Sequence, residues 1–236
     1  MAMPDYSILI PVFTETDALW FSKFYFDSLN LKPIYVLDSK RIDRRDEVER
    51  VIGREVLIYE NPERYIEANF AKLAALSPTD WILRIDCDEV VSSALIAHAA
   101  NFAKQGRGAI KGYDRRQLRW HEYHFQAEKR FIQRDVQYRL FDRRKVEFLH
   151  RIHTPGYKVH PWQFLPAPRA ARIFHLQFVF ETVLDRKRKY EIYRKVENAQ
   201  SFRDWFGITR GKGWDTLEDP HLTSVYRAWR LQQGMA

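Results

Sequence analysis

Cysteine is almost absent from this chain of 236 residues; Cys87 stands alone. One thiol excludes an intramolecular disulfide framework and any cysteine-rich zinc module, and it points to a reducing compartment. Long apolar runs are missing as well, none approaching the roughly 18 to 20 residues that span a bilayer. Met1 to Tyr6 lack the basic and apolar zones of a signal peptide. The expectation is a cytoplasmic protein. No G-x-G-x-x-G follows the first apolar run and no Walker A string occurs, which argues against a dinucleotide-binding domain or a P-loop enzyme. Repeats, low-complexity tracts and separating linkers are also lacking.

What is present is core material and positive charge. Hydrophobic residues make up 45% of the chain and aromatic residues 15%, ample for a core at this length. Lysine and arginine number 39 against 31 acidic residues, a formal charge of +8. Much of the surplus follows Lys104, in Arg115-Arg116, Arg143-Arg144-Lys145, Arg186 to Lys189 and Arg194-Lys195. A basic half suits nucleic acid, an anionic membrane surface or phosphorylated substrates, although any single cluster also reads as a solvated face.

The first half alternates strand and helix patterns. Ser7 to Ile10 reads as a strand stopped at Pro11; Thr14 or Thr16 caps a helix through about Leu29; Pro33 to Leu37 is a strand closed by Asp38-Ser39. A polar helix at Asp43 to Ile52, a strand at Glu55 to Tyr59, and a helix opened by Asn61-Pro62 and running to about Leu76 continue the series. Such alternation predicts an α/β fold with a doubly wound, mostly parallel central sheet. After a helix capped by Ser92 or Ser93 and ended at Gly106, the pattern turns to strands at 109–120, 136–142, 146–149 and 171–178. A charged helix from Glu181 to about Phe206, a loop at 207–220 and a terminal helix from His221 to Gln233 close the chain.

One stretch draws the rest together. Trp81 to Ile85 has the content of a buried strand and ends in Asp86, Asp88 and Glu89, three carboxylates within four positions. Ligands of open α/β sheets gather at the carboxyl ends of strands, where Thr14 and Asp38 also fall. In an extended chain Asp86 and Asp88 point the same way, and two charges about 4 Å apart repel by roughly 4 kcal/mol at an effective dielectric near 20. A divalent cation reverses that sign, and Mg2+ or Mn2+ prefers such oxygen ligands. A D-x-D taken alone reads more readily as a solvated acidic turn.

Taken together and in order, these segments resemble the GT-A glycosyltransferases of the family 2 type, in particular bacterial enzymes that decorate lipopolysaccharide cores and other surface glycans. Pro11-Val12-Phe13-Thr14-Glu15 stands where those enzymes carry a P-V-Y-N-E-like turn, with threonine replacing asparagine. Asp38-Ser39 is a shortened form of their D-x-x-S, and Asn69 matches an asparagine before the acidic strand. Trp81-Ile82-Leu83-Arg84-Ile85-Asp86-Cys87-Asp88-Glu89 nearly reproduces W-I-L-x-L-D-A-D-E. Arg139-Leu140-Phe141, then Ile152-His153-Thr154, match R-L-F and V-H-E, and His175 matches a later strand-borne histidine.

The resemblance implies a sugar nucleotide lying across the carboxyl edge of a GT-A sheet. Pro11, Phe13 and Glu15 would line its pocket; Asp38 would hold base or ribose, Asn69 would be a further substrate-binding residue, and Arg139 would assist at the departing phosphates. Asp86 would contact the sugar or ribose and join Asp88 and His175 around Mn2+ or Mg2+. Residues 1–105 would form the nucleotide-sugar half of a single domain, and 106–236 a smaller mixed acceptor-side region with C-terminal helices. Transfer to a glycan or glycolipid acceptor, with inversion, needs a general base. The glutamate of V-H-E is replaced by Thr154, which leaves His153, Glu122 or Asp114 as substitutes. The basic half with Trp120, Tyr123, Trp162 and Trp205 suits an acceptor site and peripheral contact with an anionic inner membrane face. Two rivals stand beside this reading: a basic nucleic-acid-binding protein or metal-dependent nuclease, for which no binding motif is recognisable, and a non-catalytic sugar-nucleotide-binding relative.

Overall fold

The computed structural model describes residues 5–12, 16–61, 69–106, 108–129, 135–149, 157–158, 160, 167–188, 191 and 213–235. Its elements in the first half are β1 (Ser7–Val12), α1 (Asp17–Ser28), β2 (Ile34–Asp38), α2 (Arg45–Ile52), β3 (Leu57–Tyr59), α3 (Phe70–Ala75), β4 (Trp81–Arg84), β5 (Glu89–Val91) and α4 (Ser93–Gln105). Then come β6 (Ile110–His121), β7 (His124–Glu128), β8 (Val136–Asp142), β9 (Arg172–His175), α5 (Gln177–Phe180), β10 (Trp214–Thr216) and α6 (Pro220–Gln232).

The strand order is β10-β7-β6-β8-β4-β1-β2-β3, with β9 pairing both β5 and β6. Strands β3, β2, β1 and β4 run parallel. Helices cover both faces, as the alternation predicts. Ile8, Ile10 and Val12 of β1 face α1, α2 and α4 in one buried cluster, while Leu9 joins Phe70, Leu73 and Ala74 of α3 in another. Each fully buried branched or aromatic side chain contributes about 1.5 to 3 kcal/mol, so β1, packed on both faces, anchors the sheet. Along the main strand order parallel pairing stops at β4, although β6 and β9 also pair in parallel. Strand β8 lies antiparallel to β4, and β6 antiparallel to β8 and β7.

Local chemistry explains the boundaries. Thr16, the second of the two threonines considered, caps α1 by accepting from the Leu19 amide at 3.2 Å. Ser92 caps α4 in the same way, and Gly106 ends it at a φ of 62°. Strand β1 runs through Pro11 to Val12 instead of stopping, because β4 pairs β1 only as far as Leu9 and leaves no donor to be missed beyond it. Gly112 has no room for a side chain: a Cβ there would meet Val136 Cγ1 at 2.5 Å. The predicted strand at 171–178 ends at His175 and turns into α5, and 146–149 contributes only an isolated bridge between Phe148 and Tyr157. Strands β5, β7 and β10 have no counterpart in the sequence reading.

A third cluster joins the two halves. Phe21 and Tyr25 of α1 pack with Leu118, Phe125, Phe174 and the α6 residues Tyr226 and Trp229. Phe21 meets the Tyr226 ring edge-on at 5.1 Å, a geometry favoured by aromatic quadrupoles. No helix among the described residues is long and apolar enough to cross a membrane.

Candidate functional site

Strand β1 lies between β2 and β4, so the strand order grows to one side through β2 and β3 and then reverses to the other side at β4. Such a switch point opens a crevice. Asp38 closes β2 on one side, and Asp86 follows β4 on the other, with Pro11 near the end of β1 between them. Phe13, Thr14, Glu15, His153 and Thr154 lie outside the described residues.

Asp38 is 4% exposed and its carboxylate is surrounded by neutral donors. The Lys40 amide donates to Oδ1 at 2.9 Å, and Asn61 Nδ2 donates to Oδ2. The Tyr59 hydroxyl stands 3.5 Å from the same oxygen; burial and the Asp38 charge push that phenol far up. Asn69 Nδ2 donates in turn to Asn61 Oδ1 at 2.6 Å. A relay Asn69, Asn61, Asp38 results, buried throughout. Asn61 is a member that the sequence reading assigned only to a helix start.

The acidic motif is bent. The Glu89 amide donates to the Asp86 carbonyl at 2.9 Å, and the Asp86 amide donates to Glu89 Oε2 at 3.1 Å. That β-turn sends the two aspartates to different partners, so the common direction expected of an extended D-x-D does not occur. Asp86 meets two guanidiniums: Arg139 Nη2 at 2.5 Å and Arg84 Nη1 at 2.9 Å. Arg139, with a side chain only 2% exposed, also donates to the fully buried Glu89 at 2.8 Å. Arg115 approaches Glu89 at 3.5 Å and pairs with Asp135 at 2.8 Å. Burial pushes the Glu89 carboxyl well above its usual range, the Asp86 and Asp88 charges add to this, and Arg115 opposes it. Burial works against the Arg115 charge, but Asp135 and Glu89 outweigh it and hold the guanidinium protonated.

Asp88 turns the other way. Its Oδ2 lies 3.0 Å from His175 Nε2, while His175 Nδ1 lies 2.8 Å from Gln117 Oε1. Glu89 and His175 are register partners across β5 and β9, as are Gln117 and His175 across β6 and β9. Gln117 therefore sits behind the histidine, fixing which nitrogen faces Asp88. No signal in the sequence marks Gln117. Asp88 and His175 form an O,N donor pair, with side chains 21% and 11% exposed. Among the described residues no group of three or more His, Cys, Asp or Glu side chains is placed to hold a metal ion.

Glu122 is not brought to this edge. It occupies the β6–β7 turn at a φ of 42°, with its side chain 79% exposed. Five residues of strand beyond Gln117 place it on the order of 16 Å away. Asp114 is engaged by Arg116 at 2.7 Å. Trp120, half-buried, packs on Phe125 and Tyr226 against the third cluster, whereas Tyr123 is 72% exposed.

The fold and edge define an α/β protein with polar side chains gathered at its switch point. No family model matches the chain, and no curated protein matches it in sequence. Among solved structures, the crystal structure of HddC from Yersinia pseudotuberculosis is similar over 80% of this chain and 99% of that chain, at 11% identity and a TM-score of 0.42. 4-Diphosphocytidyl-2C-methyl-D-erythritol synthase is similar over 58% and 75% of the respective chains, at 18% identity and a TM-score of 0.35. The inositol-1-phosphate CTP transferase from T. maritima is similar over 100% and 99%, at 9% identity and a TM-score of 0.36. Likenesses this distant assign no activity.

Proposed function

We propose that the chain is a glycosyltransferase that binds a nucleoside diphosphate sugar along the carboxyl edge of its sheet and transfers the sugar, with inversion, to a glycan or glycolipid. One observation carries this reading: the Asp38 relay and the Asp86–Asp88 turn flank β1 at the switch point, the two ends that a sugar nucleotide would touch. Asp38, held rigid by Asn61 and backed by Asn69, would serve the base or ribose end. Asp86 would face the sugar, held in place by Arg139.

Asp88 and His175 would hold Mg2+ or Mn2+, which commonly takes one or two protein donors and fills the remaining positions with water and phosphate oxygens. A cation there would offset charge gathering on the departing diphosphate. Asp88 approaches His175 Nε2 and Gln117 orients the other nitrogen, so this part of the chain would act by holding ligands in place. The acceptor's proton would go to His153 or another base, since Glu122 stands on the far hairpin. An anionic glycolipid acceptor would suit the surplus of basic residues and a peripheral membrane position.

A thermal-unfolding panel of UDP, GDP, CDP, dTDP and ADP, each with Mn2+, Mg2+ or EDTA, tests the reading. A ligand that binds only the folded state at a hundred times its Kd adds about 2.7 kcal/mol of stability. A shift confined to one base, and lost with EDTA or Asp88→Ala, is the expected result. Stronger stabilisation by a nucleoside triphosphate than by any diphosphate, or tight binding of RNA or DNA with no nucleotide response, would overturn it.

A further inference from the structure

We propose that Arg84 binds phosphate: it rests on Asp86 in the free protein and hands its guanidinium to an oxyanion when one enters the crevice. Arg84 is the last residue of β4, the strand that borders β1 at the switch point. Its guanidinium lies on the Phe70 ring at 4.3 Å, and Nη1 donates to Asp86 Oδ1 at 2.9 Å. The Nε atom is buried and has no hydrogen-bond partner among the described residues, a cost that buried donors seldom bear.

Three features separate this arginine from a purely structural one. Asp86 is already served by Arg139 at 2.5 Å, so Arg84 is a second guanidinium on one carboxylate. The Asp86 side chain is 35% exposed, whereas Glu89 and Arg139 are 0% and 2% exposed; the replaceable end of the arrangement faces solvent. Guanidiniums also gather here, Arg84, Arg115 and Arg139 meeting Asp86, Glu89 and Asp135. A planar guanidinium fork suits phosphate as well as carboxylate.

Position points to the kind of anion. Phe70, which carries Arg84, directly follows Asn69, which begins the relay to Asp38. Arg84 thus stands between the Asp38 relay and the Asp86–Asp88 turn, where a ligand touching both ends would pass its phosphates. The assignment to a diphosphate rests on the donor reading proposed above; affinity for a bare diphosphate does not.

Calorimetric titration of inorganic pyrophosphate, and separately of the nucleoside diphosphates, tests this on wild type, Arg84→Met, Arg84→Lys and Asp86→Asn, in EDTA and in Mg2+. In EDTA we expect Arg84→Met to weaken pyrophosphate about ten-fold, the scale of one charge-assisted hydrogen bond, with a smaller loss in Arg84→Lys. Asp86→Asn should tighten binding several-fold by removing the competing carboxylate, a gain that a damaged fold does not mimic. Absence of pyrophosphate binding in wild type, unchanged affinity in Arg84→Met, or weakening in Asp86→Asn would each overturn the proposal. Pyrophosphate binding that depends on Arg84 without any nucleotide binding would sink the donor reading and leave this one standing. A nucleotide bound equally well by Arg84→Met would do the reverse.

Discussion

Asp38 closes β2 and Asp86 follows β4, with β1 between them, yet the two carboxylates are held by different kinds of partner. One side-chain amide, a backbone N–H and a phenol surround Asp38, and it is almost wholly buried. Guanidiniums hold Asp86, and a third of it remains in solvent. A carboxylate fixed by neutral donors at several angles keeps its geometry, because exchanging any donor leaves a buried group unpaired. An ion pair at a solvent-facing edge exchanges partners more readily, since any oxyanion offers the arginine the same chemistry. One end of the crevice is built for shape and the other for exchange.

The largest test of this contrast removes Arg139. Arg139→Leu leaves buried Glu89 without its 2.8 Å partner, and breaking a buried pair in this way costs about 3 to 5 kcal/mol; urea unfolding should show a correspondingly lower midpoint. Asn61→Ala strips Asp38 of one donor and removes the Asn61 carbonyl that accepts from Asn69 Nδ2. The expected loss is about 1 to 3 kcal/mol by the same measurement, and it should be insensitive to salt, which an ionic cluster's response is not. A loss from Asn61→Ala as large as that from Arg139→Leu would break the comparison.

Outside both clusters, Tyr123 is held at a φ of 68° in the β6–β7 turn while its carbonyl accepts from Arg227. Tyr123→Gly should relieve about 1 kcal/mol of left-handed strain and raise the thermal midpoint. The smallest effect concerns His98, whose imidazole lies 3.1 Å from the Tyr113 hydroxyl. Burial, then Lys111, holds it below its usual pKa. The unfolded chain takes up that proton near pH 6.5 while the folded chain does not, so stability falls as pH drops below about 6.5. Melting curves at pH 7.5 and 5.5 should show a drop that is reduced in His98→Gln by the equivalent of under about 1 kcal/mol.

Periodicity made the parallel half of the fold legible. Ile8, Ile10 and Val12 alternate against Leu9, and capping residues marked α1 and α4. The same cues found β6, β8 and β9 but not β5, β7 and β10, which are short; β5 and β10 moreover pair with strands far along the chain, as Glu89 does with His175. At the site, Asp38, Asn69, Asp86, Asp88, Arg139 and His175 fall on one edge. Asn61, Gln117 and Arg115 were missed because amide and arginine roles set by strand register leave no local pattern. Arg84 lay inside the motif at a position where the resemblance fixes no residue type. Glu122 was misplaced because an acidic residue between histidines looks the same at a hairpin tip as in a pocket.

Strand β4 pairs with β1 on one side and with β8 on the other, and its segment Trp81 to Leu83 is buried. During synthesis, residues 7 to 84 can assemble β3, β2, β1 and β4 before residues 136 to 142 have left the ribosome. In that interval β4 is an uncapped, apolar sheet edge, the template on which a second nascent chain can add a strand. Yield from an expression host should therefore depend on how quickly translation carries β8 into reach, and slow codons between positions 85 and 135 would be paid for in inclusion bodies.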